Sequence, residues 1–459
     1  MSRARSFLVL ALAAEAGLLA LIAAQPDPGA LPARYIGLFG AAALVALTAF
    51  VLHLRAPLRL RWILATALGL RLLLIPTVPS LSDDVWRYLH DGRAQRAGLS
   101  PYRYAPAAAE TRVFAGAERP LINHPELPTI YPPAAQLAFA AAPSLLAWKL
   151  LIVALDLGVI LALARLLGSL GRMPAWAALY AWHPLPIIEV AASGHFEPLA
   201  VLPLLLALRA AVRPRPLAAG AWLAAATAAK LFSIPVLPFL ARRHARRVLG
   251  GFGLVLLLLY LPYLLVSGTA VLGSLGLFAQ QWSFNGSIFA MVAALAPPTA
   301  ARLAVAGAFG VVWIVVWRRR PAPVEAALGI LLALLLLAPV VHPWYLLWVL
   351  PLAAAALAPR RPGSSMAASL RYGNPPALAV LVWSLTVPLA YVVLGPYRAT
   401  GEWRLPVAAV VAEYAPVYLV LLAAALTARA SGSARSDADR EARRPDRTGR
   451  AVPALPSDG

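Results

Sequence analysis

Long apolar segments recur along this chain from Ser6 to Leu426, and short connections rich in arginine separate them. A helix needs about 20 apolar residues to cross the hydrocarbon core of a bilayer. Hydrophobic residues make up 61% of the 459 positions and charged residues only 13%, too few to cover the surface of a water-soluble fold of this length. The sequence therefore predicts an all-α polytopic membrane protein.

The net charge of +21 is carried largely by arginine clusters between the apolar segments. Cytoplasmic loops of membrane proteins carry such an excess of Arg and Lys, so the charge indicates orientation in the bilayer, and we expect no nucleic-acid partner. The clusters expected on the cytoplasmic side are Arg3/Arg5, Arg55/Arg59/Arg61, Arg213/Arg215, Arg242/Arg243/Arg246/Arg247, Arg318/Arg319/Arg320 and Arg360/Arg361. The chain has no cysteine, which excludes disulfides, thiolate metal sites and cysteine nucleophiles.

With these clusters inside, the apolar segments predict about fourteen crossings and two cytoplasmic termini. The first segment carries Glu15 and is long for a signal peptide, so we expect it to be retained as a helix. A hairpin of two short helices is expected around Lys230, which places this lysine near the outer boundary. The other spans are expected at 6–24, 36–54, 62–80, 148–168, 174–192, 248–266, 300–317, 323–340, 344–358, 377–394 and 406–428. The membrane domain thus covers 1–428, and the polar tail 429–459 is expected to be disordered and cytoplasmic.

The chain between the third span and Tyr131 is polar and rich in proline. Connections of this length usually carry function or are disordered, and the Trp and Tyr content favours a folded loop on the membrane surface. We therefore expect residues 81–131 to form a large extracytoplasmic loop with short juxtamembrane helices. Residues 131–146 are predicted to form a half-helix or an interfacial helix, because the proline pair Pro132-Pro133 suits a helix start.

Two adjacent carboxylates, Asp83 and Asp84, stand at the start of this loop, directly after an apolar segment. On a helix, Asp83, Arg87 and Asp91 would share one face, and Asp84 and Tyr88 the neighbouring stripe. An ion-paired helix explains Asp83 and Asp91 but leaves Asp84 beside another negative charge. Ionised acids are costly near bilayer depth, and such pairs persist for proton transfer or cation binding, so we interpret the pair as a functional site.

The sequence resembles the GT-C superfamily of multi-spanning glycosyltransferases and, within it, bacterial polyprenol-phosphate-mannose-dependent mannosyltransferases. The resemblance covers most of the chain up to about residue 428. It is carried by SDDVWRYLHDG (82–92), GLSPYRYAP (98–106), NHPELPTIYPPAAQ (123–136), SGHFEP (193–198), TAAKLF (227–232), QQWSFNGSIF (280–289) and VHPWYLLWVLP (341–351). The chain departs from the family pattern at Leu89-His90, where Trp usually precedes the aspartate-glycine pair, and at Phe196-Glu197, where the usual form is GHND-like. These departures bear on the identity of the sugar more than on the reaction class.

The resemblance implies a GT-C fold whose 81–131 loop is catalytic. It implies transfer of a sugar, mannose, from a polyprenyl-phosphate donor to a glycan, lipid or protein acceptor, with inversion, at the outer face of the cell (inner) membrane. Asp83 would accept the proton of the acceptor hydroxyl, and Asp84 would orient the acceptor or help bind a divalent cation, with the two roles exchangeable. The leaving phosphate needs positive charge, for which Lys230 is the first candidate and Arg87 and Arg103 are further ones.

Other polar and aromatic side chains in these segments are candidates for substrate binding, with ordinary packing or interfacial hydrogen bonding as the alternative. These candidates are Tyr88, Asp91, His124, Tyr131, His195, Glu197, Asn285 and His342. His195 with Glu197 on one turn is only a weak metal-site pattern. For Lys230 the alternative is a lysine that extends to the membrane interface.

Two other classes of function remain open at this point. A transporter or flippase of lipid-linked sugars would bury ionisable groups at the bilayer midplane and show related halves. The polar chemistry is instead concentrated in one outer loop, which favours an enzyme. A ligase that transfers a preassembled lipid-linked glycan would share the architecture, and only its products would distinguish it.

Overall fold

The computed structural model describes residues 3–25, 27–114, 116, 118–359 and 374–442, with 428–442 described by their backbone only. Within this part of the chain the regular structure is helical, and no strand is present. In lipid every backbone polar group must be satisfied internally, which a helix achieves within one segment. The predicted all-α polytopic fold is confirmed.

The α-helices of the described residues follow one another in chain order. They are α1 (Arg3–Ala23), α2 (Pro32–Arg55), α3 (Leu60–Leu72), α4 (Asp84–Arg96), α5 (Pro133–Ala141), α6 (Leu145–Ser169), α7 (Ala178–Ala181), α8 (Pro184–Ile187), α9 (Glu197–Val212), α10 (Pro216–Ala229), α11 (Leu237–Ala241), α12 (Ala245–Ser267), α13 (Leu275–Gln281), α14 (Ser287–Ala293), α15 (Pro298–Arg319), α16 (Pro323–Leu337), α17 (Leu350–Leu357), α18 (Pro375–Thr386), α19 (Leu394–Thr400) and α20 (Val407–Ala442). Short 3-10 helices cover Ala109–Phe114, Arg119–Leu121, Pro174–Ala177, Leu231–Val236, Gly268–Leu272, Pro343–Trp348 and Val387–Val393, and a π-helix covers Ile188–Ala192.

Among the described residues, seven helical segments are long and apolar enough to cross a membrane. They are Arg3–Ala23, Pro32–Arg55, Leu145–Ser169, Ala245–Gln281, Pro298–Arg319, Pro375–Thr400 and Val407–Thr427. Shorter apolar helices add Pro216–Ala229, Leu231–Ala241, Pro323–Leu337 and Pro343–Leu357. The protein is therefore a multi-pass membrane protein, and the count of about fourteen crossings stays a prediction.

The third span ends earlier than the sequence suggests. Helix α3 stops at Leu72, whereas the apolar segment extends to residue 80, because Pro76 cannot continue the hydrogen-bond ladder of the helix. The carbonyl groups of Ile75 and Thr77 accept hydrogen bonds from the buried Lys149 ammonium, at 3.1 and 2.5 Å. The chain thus reaches α4 through an irregular segment that is tied to α6.

The predicted span 174–192 is divided rather than continuous. Pro184 opens the short helix α8, and the His183 ring accepts the Leu185 backbone N–H at 3.1 Å, which caps the restarted helix. The π-helix Ile188–Ala192 completes the segment. Helices of this type are rare and often occur at functional sites, and this one ends directly before the turn that carries His195.

Helix α20 continues to Ala442, beyond the boundary that we expect at residue 428. The segment contains several alanine and arginine residues, which are strong helix formers, and these extend the helix into the polar tail. The expected disorder of the tail 429–459 stays a prediction. The remainder, 443–459, and the expected cluster Arg360/Arg361 lie outside the described residues.

A buried ion pair joins α3 to α6 inside the helix bundle. Arg71 and Asp156 are fully buried, and the guanidinium contacts Asp156 Oδ2 at 2.5 and 2.6 Å. Asp156 Oδ1 accepts the Tyr180 hydroxyl at 2.6 Å, and Arg71 also donates to the carbonyls of Ala67 and Ala181. Charges at this depth persist only when they are paired, so the pair fixes α3, and with it the start of α4, against α6.

We expect the substitution Asp156→Asn to lower the free energy of unfolding by about 3 kcal/mol, because it leaves the Arg71 charge buried without its partner. The measurement is thermal unfolding of the detergent-solubilised protein. The double variant Arg71→Met/Asp156→Leu serves as the control and should be less destabilised than the single variant, since it buries no unpaired charge. A double variant at least as unstable as Asp156→Asn would contradict this account.

Candidate active site

The two adjacent carboxylates of the 81–131 loop lie at the start of α4. Asp83 precedes the helix and Asp84 is its first residue. The helix lies directly on α5, since a Cβ added to Gly92 would be only 2.1 Å from the Phe139 carbonyl oxygen. This close approach, which a residue with a side chain would prevent, sets the position of both carboxylates.

Arg87 and Asp91 form an ion pair within α4, with Arg87 Nε 2.8 Å from Asp91 Oδ1. The second oxygen of Asp91 accepts the Gln136 amide of α5 at 3.0 Å. Arg87 also donates to the Leu127 carbonyl at 2.9 Å. Both charges are buried and engaged within the protein, so these two predicted substrate residues hold the outer loop against α5.

Asp84 retains partial access to solvent although protein surrounds it. Loss of water around the carboxyl group raises its pKa to about 6, and the positive charge of Lys230 opposes this shift. The negative charge of Glu197 acts in the same direction as burial, and the Tyr88 hydroxyl donates to Asp84 Oδ2 at 3.3 Å. Folding therefore brings Asp84, Lys230 and Glu197 into one electrostatic cluster from three separate helices or helix ends.

Lys230 lies directly after α10, where that helix ends. Its ammonium donates to Glu197 Oε1 at 2.6 Å, and the side chain is 15% exposed. The same ammonium lies 4.0 Å from the ring centre of Tyr345 and 4.9 Å from that of Phe232. A carboxylate and aromatic faces thus hold this cation inside the protein, in contrast to a lysine that extends freely into water.

Asp83 has different neighbours. Partial burial raises the pKa of the Asp83 carboxyl group. The positive charge of Arg398 and a hydrogen bond with Asn123 lower this pKa, whereas the negative charge of Asp27 raises it. Arg398 forms an ion pair with Asp27 and donates to the Ser80 carbonyl at 2.5 Å. Sequence reasoning missed Arg398 and Asp27, because no local motif marks two charges on distant outer connections that meet only in the fold.

A column of stacked rings lies beside the cluster. His195 stacks on Trp344 with ring centres 3.7 Å apart, and Trp344 stacks on His342 at 4.3 Å. His342 in turn stacks on Phe284 at 4.9 Å, and Phe284 contacts Trp403 at 5.3 Å. We call these five residues the ring column. The structure thus brings the predicted residues His195 and His342 together through a tryptophan that lies between them.

A buried acid that sequence reasoning missed lies beneath the ring column. Glu189 of the π-helix has Oε2 3.5 Å from His195 Nε2, and its Oε1 accepts the Tyr391 hydroxyl at 2.7 Å. Both Glu189 and His195 are fully buried. The available signal was the acid itself, since an ionisable residue within an apolar span is a functional candidate by default.

Two further predicted residues, Tyr131 and His124, lie on the loop itself. The Tyr131 ring contacts that of Tyr88 edge to face at 5.2 Å and so lies against the Asp84 side of the cluster. His124 is largely exposed, lies 3.5 Å from the Glu126 carboxylate and packs edge-on against Trp282 at 4.8 Å. Tyr131 therefore lines the cluster, whereas His124 lies at the surface.

The remaining predicted residues have other positions. Asn285 donates to both carboxylate oxygens of Glu413 in α20 at 3.1 Å, and its backbone carbonyl accepts the Tyr414 hydroxyl. Its main contact is therefore a link between the segment before α14 and the last helix. Arg103 is exposed to solvent. The assignment of Asn285 to substrate binding and that of Arg103 to the donor phosphate stay predictions.

The described residues contain no group of three or more His, Cys, Asp or Glu side chains that could hold a metal ion. The positive charge beside Asp84 and Glu197 comes from Lys230. A divalent cation at Asp84 stays a prediction, and the chemistry considered below uses only the residues of the chain.

Two family models match the chain along most of its length. Residues 6–246 match the model described as "Alpha-(1->6)-mannopyranosyltransferase, N-terminal domain" of the MptA_B family, more than half of the chain. The chain belongs to this mannosyltransferase family. Residues 268–427 match a second model, described as the MptB C-terminal domain. No curated protein and no solved structure matches the chain.

Membership of this family confirms the predicted resemblance to GT-C mannosyltransferases. It identifies the protein as a multi-pass membrane glycosyltransferase of the mannosyltransferase type. The two matches meet between residues 246 and 268, within α12, and the single membrane domain expected for 1–428 stays a prediction. Asp83, Asp84, Glu197 and Lys230 all belong to the first match.

The raised pKa of Asp84 predicts how mannosyl transfer depends on pH. The carboxyl group is protonated below about pH 6 and ionised above it, so kcat/KM should fall as the pH decreases through this value. In Asp84→Asn the group cannot ionise, and this step should disappear from the profile, leaving lower activity. The measurement is the pH profile of kcat/KM for both proteins, and an identical step in the variant would contradict the assignment.

Proposed function

We propose that this mannosyltransferase transfers mannose from a polyprenyl-phosphate donor to an acceptor hydroxyl on the extracytoplasmic side of the cell (inner) membrane, with inversion at the anomeric carbon. The observation that carries the proposal is the cluster of Asp84, Lys230 and Glu197, with Asp83 next to Asp84 at the start of α4. It combines carboxylates that can accept a proton with a cation that can stabilise an anionic leaving group.

The departure of a polyprenyl phosphate increases negative charge on the phosphate oxygens. Lys230 is the cation of the cluster, and it is held by Glu197 and by the Tyr345 ring. A pre-positioned charge stabilises the developing phosphate without a reorganisation cost in the transition state. Lys230 therefore marks the side of the cluster on which we expect the donor phosphate to bind.

Asp83 is the base in this proposal. In an inverting transfer the acceptor oxygen attacks the face of the anomeric carbon opposite to the leaving phosphate, so the base lies away from the phosphate cation. Lys230 acts on the pKa of Asp84, whereas the cation that acts on the pKa of Asp83 is Arg398. Asp83 takes the proton of the acceptor hydroxyl as the new C–O bond forms, and the phosphate leaves with the electrons of the old one.

Asp84 is the carboxylate between the proposed base, Asp83, and the proposed phosphate cation, Lys230, in the order of their electrostatic contacts. It accepts the Tyr88 hydroxyl and is close enough to Lys230 for their charges to interact. Its ionised form balances the charge of Lys230 before the donor binds and can orient the acceptor hydroxyl beside Asp83. This assignment retains the roles expected from the sequence resemblance.

The outer location of the cluster follows from charge. Arg55 ends α2, and Arg59 and Arg61 flank the start of α3, so an inner position for these charges directs α3 outward. Helix α4 then lies on the extracytoplasmic side. This location suits a lipid-linked donor, whose chain stays in the bilayer while its sugar reaches the membrane surface.

The family description also bears on the acceptor. A (1->6) linkage joins the anomeric carbon of mannose to oxygen 6 of another sugar. We therefore propose that the acceptor hydroxyl belongs to a saccharide rather than to a serine or threonine side chain. Among the acceptors left open by the sequence, a glycan is thus the preferred class.

The first test is transfer of radiolabelled mannose from polyprenyl-phosphate-mannose by vesicles that contain the protein. Asp83→Asn should lower kcat by at least about 100-fold, since it removes the general base, while thermal unfolding stays close to that of the wild type. Wild-type activity that survives in Asp83→Asn would contradict the assignment of the base. A wild-type protein that labels no product would contradict the polyprenyl-phosphate donor.

The second test concerns the phosphate cation. Lys230→Met should lower kcat by about 100-fold or more and raise the KM for the donor, because the phosphate loses its stabilising charge. Lys230→Arg keeps the charge and should retain a larger share of the activity. If Met and Arg have equal effects on kcat and donor KM, the charge of Lys230 has no role in the reaction.

A further inference from the structure

The last turn of α19 is held near Asp83, and the connection to α20 follows directly after it. Arg398 of α19 pairs with Asp27 of the α1–α2 connection and donates to the Ser80 carbonyl, three residues before Asp83. Gly29 lies so close that an added Cβ would be 2.6 Å from the Arg398 guanidinium. These contacts fix the connection at the Asp83 end of the cluster.

The same connection carries Trp403, which ends the ring column. The Tyr397 ring packs edge-on against it at 5.0 Å, and Phe284 contacts it at 5.3 Å. Trp403 is nevertheless 46% exposed. Two aromatic neighbours thus fix its position while much of the indole remains exposed. A ring that is already fixed loses little conformational freedom when a ligand binds to it.

Polar residues precede and follow Trp403 in the sequence. Glu402 and Arg404 line a depression of about 350 Å³ together with Leu405, Pro406 and Val407, on the same short connection as Trp403. Both side chains are exposed, and the structure of the described residues gives neither of them an ion pair. An apolar face beside free hydrogen-bonding groups matches a sugar, whose C–H face packs on the negative face of an aromatic ring while its hydroxyls need polar partners.

Trp403 is also joined to both ends of the cluster. Through Phe284 and His342 it connects with the ring column, and Lys230 acts electrostatically on His342. Through Tyr397 it adjoins Arg398, which acts on Asp83. A ligand on the Trp403 face would therefore lie next to the helix whose Arg398 acts on Asp83, the proposed base.

We propose that Trp403, with Glu402 and Arg404, forms a binding site for a sugar unit of the acceptor glycan, one or more units away from the reacting hydroxyl. The proposal rests on the saccharide acceptor of the proposed function. The site determines specificity for acceptor length, because only an oligosaccharide can contact Trp403 and Asp83 together. Trp403 takes no part in the bond-forming step.

A tryptophan at a membrane boundary also occurs as a simple interfacial anchor. Trp222, which is 44% exposed, provides a matched control for that role, since it lies in α10, away in sequence from the connection that carries Trp403. An anchor affects membrane insertion and stability, whereas a sugar site affects binding of one ligand. The two roles therefore give different results for the two tryptophans.

The test is calorimetric titration of soluble α(1→6)-linked mannotriose into the purified full-length protein. We expect binding to the wild type, a loss of about tenfold in affinity for Trp403→Ala, and a smaller loss for Trp403→Phe, which keeps an aromatic face. Trp222→Ala should bind like the wild type. Mannose itself should bind equally to the wild type and to Trp403→Ala, since a single unit at the reacting position does not reach this ring.

Equal affinity of mannotriose for the wild type and Trp403→Ala overturns the proposal, as does an equal loss in Trp222→Ala or an absence of binding to the wild type. Transfer from polyprenyl-phosphate-mannose, measured in parallel, tests the proposed function separately. If mannotriose binds through Trp403 but no transfer occurs, the sugar site stands and the proposed reaction fails.

Discussion

The contact between the Lys230 ammonium and the Glu197 carboxylate is the interaction on which the rest of the site depends. A cation at this depth needs a partner, and Glu197 supplies one at 2.6 Å while aromatic rings surround the remaining faces. The held charge limits the rise in the pKa of Asp84, so that this carboxyl group titrates near pH 6 and not higher. One ion pair thus prepares both the phosphate side and the acceptor side of the proposed reaction.

The membrane explains why the helices around the site are interrupted. Helix ends release backbone carbonyls and amides that have no water to bind in the bilayer, and such breaks are tolerated only where the protein supplies partners. Lys149 provides them after α3, and the His183 ring does so before α8. Each break delivers polar residues to the cluster, Asp83 and Asp84 in the first case and Glu189 and His195 in the second.

The 81–131 loop and the chain around the end of α19 contribute different parts of the site. The loop presents the carboxylate pair, and its own charges, Arg87 and Asp91, hold α4 to α5. Helix α19 adds Arg398, which acts on Asp83, and the connection after it adds the exposed ring of Trp403. The chemistry of transfer and the recognition of a long acceptor would thereby reside on separate segments, so acceptor preference can change without any change in the base or the phosphate cation.

The sequence by itself determined the all-α membrane fold and the family, because these depend on local properties: apolar length, arginine placement and motifs. It also marked the segment 82–92 and Lys230 as candidates for the site, and these roles stay predictions. It did not determine that Arg398 and Asp27 meet near Asp83, that Glu189 lies under His195, or that Asn285 holds Glu413. These contacts join residues far apart in the chain, and only the packing of the helices decides which distant charges and rings become neighbours.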